Sequence, residues 1–404
     1  MKEPTSIRHE VRILPQLNKA CGLDIHKDKI CCFISDNTGE KQFYQEFGTF
    51  TKELHQLKEW LIEHEIRDCI MESTGVYWMS LYSILSASNM NVIVANPQFI
   101  KQIPKRKTDK KDAKWLCTLL LNGLSKGSFI APKTQRELRD LCRSRLHYTQ
   151  HRSKTLNRIV KVLEINNIKI RSVASSVNTK SCMEMIRHLA KGERDITKLK
   201  ECCKGRLRKK IDQMGDALQG TLTDNDSWQL QCLLKDIDHI DGQLNSLENR
   251  ISQFIEQDYR HVVECLDSIT GVGLGSAQVI VSEIGKDMSS FASSDHLTSW
   301  CGLSPGNNES AGKRRNTSVK KGNKYLRIAL IAVAWGAVKT KNSYWRGLFE
   351  KLRKRMKSQK AIVAIARRIL KVVYKTIKEE KLYSEKGIEH FISMQTRKKE
   401  NQLA

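Results

Sequence analysis

The sequence predicts an α/β N-terminal domain, then a long basic helical and coiled-coil region, then a mostly α-helical C-terminal domain. Three observations predict this. In the first third, short apolar runs alternate with helical periods in the order β-β-β-α-β-α-β-α. In the middle, Leu230, Leu233, Ile237, Ile240, Leu244, Leu247, Ile251 and Phe254 step by three and four residues in turn, a heptad seam. Only 6 prolines interrupt 404 residues, which favours long helices. The expected domains are residues 1–132, 133–264 and 265–404, in line with the two or three that this length predicts.

The elements follow in order. "CGLDIHKDKICCFIS" reads as two strands joined by a tight turn near His26 to Lys29, and "KQFYQEFGTF" as a third strand of the meander. Leu54, Leu57, Leu61 and Ile62 recur at helical spacing behind Thr51, a candidate N-cap. "RDCIMES" is a short buried strand ending on Glu72. "VYWMSLYSILSASN" is a helix, "NVIVANP" a strand and "DKKDAKWLCTLLLNGL" a helix. A long basic helix is expected from Arg136 to Asn166, with Arg143 and Arg152 among its cations. Residues 170–225 are polar with weak periodicity. The heptad seam fits an intramolecular helical hairpin, a dimer contact, or one amphipathic helix packed on its own domain. In "LDSITGVGLGSAQVIVSEIG", Gly271, Gly273 and Gly275 separate two apolar helices. That pattern fits a helix-hairpin-helix presenting backbone N–H groups to a phosphate, and equally a plain Gly-rich turn. The tail beyond Arg397 is expected to be disordered.

The net charge is +26 and the pI about 9.6, so the expected partner is a polyanion whose phosphates reward clustered Lys and Arg. No apolar run approaches the roughly 18 residues of a membrane span, and the N-terminus lacks a signal-peptide core. A cytoplasmic, nucleoid-associated protein is expected, with no membrane partner. The 12 cysteines include no CxxC pair, which argues against a zinc module, and a disulfide framework does not suit this length. They read as reduced, buried small residues.

"KRKTDKKDAKWL" sets Asp109 and Asp112 among cations, one helical turn apart. Alone, such a pair is ordinarily a solvated, salt-bridged helix face. Two further acids change the reading. Asp24 interrupts the first apolar strand, where a carboxylate is costly unless it binds something, and Glu72 ends the fourth strand. Four carboxylates from two strands and one helix could hold Mg²⁺, two ions being possible, in the arrangement used for in-line phosphoryl transfer. Lys105, Arg106, Lys107, Lys110 and Lys111 would then guide a nucleic-acid backbone to them. Tyr77 and Trp78, just beyond Glu72, are candidates for stacking on bases, although aromatics after a strand are more often core.

The strings "GLDIHKD", "ESTGVYW", "NPQFIKQIPKRKTDKKDAKWL", "LDSITGVGLGSAQVIVSEIG", "WCGLSPGNNESAGKRR" and "KKGNKYLRIAL" carry a resemblance. From about residue 20 to 380 the chain resembles the DEDD-type insertion-sequence transposases, the one-ten/eleven-eleven family. Its topology and acid order resemble the RNase H/RuvC-like nuclease fold. The resemblance implies that Asp24, Glu72, Asp109 and Asp112 are the DEDD tetrad. It also implies a second catalytic element, a serine before a basic stretch. In "NNESAGKRRN" this is Ser310, with Lys313, Arg314 and Arg315 as phosphate contacts; Ala311 stands where the family has glycine. Such a serine attacks the phosphodiester and holds the DNA end covalently.

The resemblance further implies donor and target DNA as partners, and a structured guide RNA from the same element. Arg136 to Lys161 and Lys180 to Lys210 are candidate RNA-binding stretches. Two duplexes imply a homo-oligomer, a dimer or a tetramer. The expected function is therefore that of an RNA-guided, Mg²⁺-dependent transposase or recombinase with a serine–DNA intermediate. The alternative is a RuvC-type junction-resolving endonuclease that needs only the acids. A non-enzymatic nucleic-acid-binding relative is a further alternative, against which all four acids argue.

Overall fold

The computed structural model describes residues 17–73, 75–96, 108–125, 127–305, 308–310, 313–316, 319 and 322–394, without the side chains of 308–310 and 313–316. The expected disorder beyond Arg397 falls outside these residues. The chain forms two compact units, residues 1–130 and 131–404.

The first unit is built on a five-stranded sheet ordered β3-β2-β1-β4-β5. Strands β1 (Lys19–Ile25), β2 (Lys29–Asp36) and β3 (Gln42–Gly48) form the antiparallel meander. The first hairpin closes where the His26 N–H donates to the Lys29 carbonyl at 2.9 Å. Strands β4 (Asp68–Glu72) and β5 (Asn91–Ala95) continue the sheet parallel to β1. Helices α1 (Thr51–Glu63) and α2 (Trp78–Ala87) cover one face. Helix α3 (Asp109–Leu121) covers the other.

Alternation along β1 sorts its side chains between these layers. Cys21, Leu23 and Ile25 join Leu54, Leu57, Leu61, Leu81 and Leu85 in one core. Ala20 joins Ile70, Ala113, Leu116 and Cys117 in the other. Gly22 lies on the α3 side, where a Cβ would collide with the Ala113 carbonyl and the Cys117 backbone nitrogen. Helix α3 therefore rests directly on the β1 backbone. Helix α2 starts at Trp78, two residues later than its apolar pattern suggests, because Gly75 turns the chain with φ +58°.

In the second unit, α4 (Lys133–Ile165, 33 residues) and α9 (Asp224–Phe254, 31 residues) run antiparallel. Arg145 meets Glu248 while Arg152 meets Asp241, which fixes their direction. Thr223 and Asp226 form a reciprocal capping box at the start of α9. Of the seam, Leu230, Leu233, Ile237, Ile240 and Ile251 are buried within the chain, and Leu244 and Leu247 are half-buried.

Residues 170–217 fold into α5 (Ile170–Val173), α6 (Lys180–Ala190), α7 (Ile196–Glu201) and α8 (Ile211–Ala217). Their core of Cys182, Met185, Ile186, Leu189, Leu199 and Met214 is completed by Ile159, Leu163 and Leu230 of the long helices. Helices α10 (Arg260–Asp267) and α11 (Leu274–Ile284) flank the Gly-rich turn. At Gly271, φ is +88°, and a Cβ would strike the Val333 carbonyl and the Ala337 backbone. Helix α12 (Ser294–Trp300) leads to a hairpin of β6 (Asn308–Ser310) and β7 (Lys313–Asn316). Helices α13 (Lys324–Lys339), α14 (Tyr344–Arg353) and α15 (Ser358–Glu379) complete the unit around Leu330, Val333, Ile365 and Ile369. Among the described residues, no helix is long and apolar enough to cross a membrane.

Candidate catalytic acid cluster

The sheet register places the first two acids. β1 and β4 are parallel neighbours, with Leu23 opposite Met71. The next residue of each strand is an acid, Asp24 and Glu72. Both stand one step beyond that apolar pair, and strand alternation turns both toward α3. Helix α3 begins at Asp109 and carries Asp109 and Asp112 in its first turn, where the helix dipole favours carboxylates. Because Gly22 lets α3 lie on β1, that turn comes down beside Asp24.

The cluster includes two residues not singled out in the sequence. His26 Nε2 lies 3.1 Å from Asp24 Oδ2 and 3.6 Å from Asp109 Oδ1. Lys29 Nζ lies 2.7 Å from Asp109 Oδ2 and 3.8 Å from Glu46. The turn reading of His26 to Lys29 hid both. The available signal was the Asp-x-His spacing, which puts Asp24 and His26 on one side of an extended chain.

The electrostatics differ between the acids. Asp24 is only 15% exposed. Burial raises its carboxyl pKa, His26 opposes the rise, and the charges of Asp112 and then Asp109 add to it. At Asp109 the Lys29 hydrogen bond holds the pKa below the ordinary range. Glu72 is half-buried at its strand end. Ligating atoms of Asp24, His26 and Asp109 all lie within 4.8 Å of one another. Two carboxylates, an imidazole and an adjacent repelling carboxylate fit a divalent cation, which would offset the burial and the repulsion that raise Asp24.

The remaining candidates are placed as follows. Lys110 and Lys111 are exposed on α3, with the Lys110 ammonium 4.8 Å from the Tyr44 ring centre. Lys105, Arg106 and Lys107 lie outside the described residues. Ser310 ends β6 opposite Lys313 of β7. The side chains of Ser310, Lys313, Arg314 and Arg315 lie outside the description.

Arg143 and Arg152 have internal partners. Arg143 forms two 2.8 Å bonds to the Glu283 carboxylate and stacks 4.3 Å from the Tyr325 ring centre. Arg152 bonds Asp241 at 3.0 Å and Asn178 at 2.8 Å. These guanidinia serve the fold, which occupies the donors that a nucleic-acid contact would use. A cavity of about 830 Å³ beside Arg143 is lined by Arg145, Leu244, Glu248, Leu274 and Ile328. It holds cations already paired with acids, not converging carboxylates.

Comparison with known proteins follows the same division. A transposase model, DEDD_Tnp_IS110, matches residues 21–167, which contain all four acids. A second, described as transposase IS116/IS110/IS902 family, matches residues 263–350, which contain Ser310. The chain is 25% identical over 393 residues to the pilin gene-inverting protein of Moraxella bovis, covering 90% of this chain and 97% of that one. The Moraxella lacunata pilin gene-inverting protein is 25% identical over 392 residues, with the same coverage. With each family model falling on one half of the expected machinery, the chain belongs to the IS110 family of transposases, enzymes of DNA recombination.

Proposed function

We propose that this transposase cuts and exchanges DNA strands through a Mg²⁺-dependent acid tetrad and a covalent Ser310–DNA intermediate, with sites chosen by a structured RNA. The observation that carries the reading is the convergence of Asp24 and Asp109, beside Asp112, where two strands and one helix end. The strand order β3-β2-β1-β4-β5 supports an RNase H/RuvC-like domain. Relatives named for inverting a pilin gene support rearrangement rather than simple hydrolysis.

Asp24, Glu72, Asp109 and Asp112 would hold the metal, with His26 as a further donor. Bound Mg²⁺ would supply activation of the attacking oxygen and stabilisation of the leaving one. Lys29 and His26 keep the carboxylates close together when no cation does. The Ser310 hydroxyl oxygen attacks the scissile phosphorus, the bond to one ribose oxygen breaks, and the serine proton ends on that oxygen. The phosphoserine keeps the phosphoester energy, so a second strand's hydroxyl can displace the serine and rejoin the DNA. Donor and target DNA, the RNA and a dimer or tetramer belong to this proposal. The charge of +26 supports the polyanionic partners. Phosphate contacts at the Gly-rich turn, in a helix-hairpin-helix, belong to it as well.

Covalent trapping tests the reading. The protein is incubated with its co-purifying RNA, Mg²⁺ and labelled DNA carrying the element junction, and run on denaturing gels. A protein–DNA band lost in both Ser310→Ala and Asp109→Ala is the expected result. Cleavage without an adduct, unchanged by Ser310→Ala, would leave a junction-type metal-dependent endonuclease.

A further inference from the structure

The two aromatics that follow Glu72 part company in the fold. Trp78 turns inward: it packs against the α1–α2 core and meets the Tyr82 ring edge-on at 5.7 Å. Tyr77 does not. It remains 47% exposed, and Val76 beside it is 68% exposed. Both sit on the connection between β4 and α2, where Gly75 takes a left-handed conformation (φ +58°). Isolated apolar side chains on a surface need no special role, but an open aromatic ring close in the chain to the acid cluster offers a stacking face there.

We propose that Tyr77, supported by Val76, is a nucleobase-binding subsite that stacks on a base close to the scissile phosphate. The proposal rests on the acid cluster being the cutting centre. Three observations favour DNA as the occupant. The chain is a DNA recombinase by family. The exposed Lys110 and Lys111 extend from the helix turn that carries Asp109 and Asp112, so the surface near the acids draws a phosphate backbone. Tyr77 lies five residues beyond Glu72, a chain length that spans at most about 17 Å. At about 3.4 Å per nucleotide step, that reach covers about five bases beside the cut. An aromatic face stacks on any base, so the subsite positions a strand without reading its sequence. It would hold the unpaired base next to the phosphate and fix the strand's path over the carboxylates.

The test uses the full chain with its co-purifying RNA, in EDTA, and junction DNA carrying single 2-aminopurines at successive positions around the cut. Wild type is expected to quench one or two of these positions strongly. Tyr77→Ala should abolish that quenching and weaken binding about tenfold. Tyr77→Phe, which keeps the ring, should retain both. Tyr77→Leu, which keeps bulk without a π face, should behave like Tyr77→Ala and guards against a folding artefact. With Mg²⁺, Tyr77→Ala should cut at several neighbouring phosphates in place of one. Equal quenching in wild type, Tyr77→Ala and Tyr77→Leu would overturn the subsite. Asp109→Ala separates the two readings: it should quench as wild type does but not cut. If Asp109→Ala still cuts, the acid cluster is not the cutting centre and the subsite loses its role there, whatever Tyr77 does.

Discussion

Two charge clusters, one in each unit, show opposite designs. In the first unit, like charges converge. Asp24 is pushed up in pKa by burial and by its neighbours Asp112 and Asp109, and His26 offsets this only in part, while Lys29 pairs with Asp109. In the second unit, opposite charges converge. The Glu283 side chain is 1% exposed, and it meets Arg143 at 2.8 Å, Arg139 at 3.3 Å and Asn323 at 2.7 Å. Asn323 also caps α13 through the Tyr325 and Leu326 N–H groups. Glu283 thus ties α4, α11 and α13 together, and the fold completes this cluster by itself. The acid cluster instead keeps like charges side by side. Both join charges that lie far apart in the sequence, and only packing brings them together.

Removing charge from each cluster should therefore have opposite consequences, and this is the sharpest way to break the comparison. Asp109→Ala and Asp24→Asn should lower single-turnover cleavage at least about a thousandfold, the scale of several kcal/mol that a metal centre supplies. The metal-free melting temperature of Asp24→Asn should equal or exceed wild type, because burial and like charges disfavour that carboxylate, whereas Asp109→Ala loses the Lys29 bond and should melt slightly lower. A large loss of stability with cleavage intact would give the acids a structural role. Glu283→Ala should do the reverse. It strands two part-buried guanidinia and should cost about 2–4 kcal/mol in urea unfolding, less than breaking a wholly buried pair. A cost under about 1 kcal/mol would show that water replaces the carboxylate.

The sequence pointed to Asp24, Asp109 and Asp112, which the fold brings close together, but not to the groups around them. Asp24 and Glu72 were legible because a carboxylate in an apolar strand has few other uses, and Asp109 and Asp112 because i,i+3 spacing shares a helix face. Among the described residues, the eight elements of the first unit follow the expected order, since strand and helix periods there are unbroken. His26 and Lys29 were hidden because a turn sequence does not show which side chains fold back over the strands. Residues 170–225 read as polar with weak periodicity because α5, with 4 residues, and α7, with 6, are too short to display a period. Their core depends on Leu163 and Leu230, distant in sequence. Arg143 and Arg152 read as cations of a candidate RNA-binding helix because composition cannot reveal that Glu283 and Asp241 lie across from them.

Between the two clusters in expected effect stands Gly22, whose missing side chain allows the acid cluster to assemble. Gly22→Ala forces a methyl group into the α3 backbone and should cost about 1–3 kcal/mol as overpacking. Because the helix must lift from β1, cleavage should fall further than stability alone explains. Cleavage measured well below the melting temperature separates the two effects. Full activity in a stable Gly22→Ala protein would mean that the first turn of α3 holds its place without that contact.

The smallest effect belongs to a third kind of cluster, at the surface. Asp295 is 61% exposed and meets Lys371 at 2.7 Å and Arg367 at 3.1 Å. The Lys371 hydrogen bond, with help from Arg367, holds its carboxyl below the ordinary range. A lowered folded-state pKa contributes stability above the unfolded value, near 3.8, and loses it as pH falls through the folded one. Asp295→Asn should therefore destabilise by less than about 1 kcal/mol at pH 7, and less again in high salt. The difference from wild type should vanish once the pH falls below the folded-state value. Urea unfolding from pH 7 down to pH 3 checks this. A difference that stays constant with pH would mean that Asp295 acts through packing, as Glu283 acts through its buried network, and exposure would then fail to separate the two.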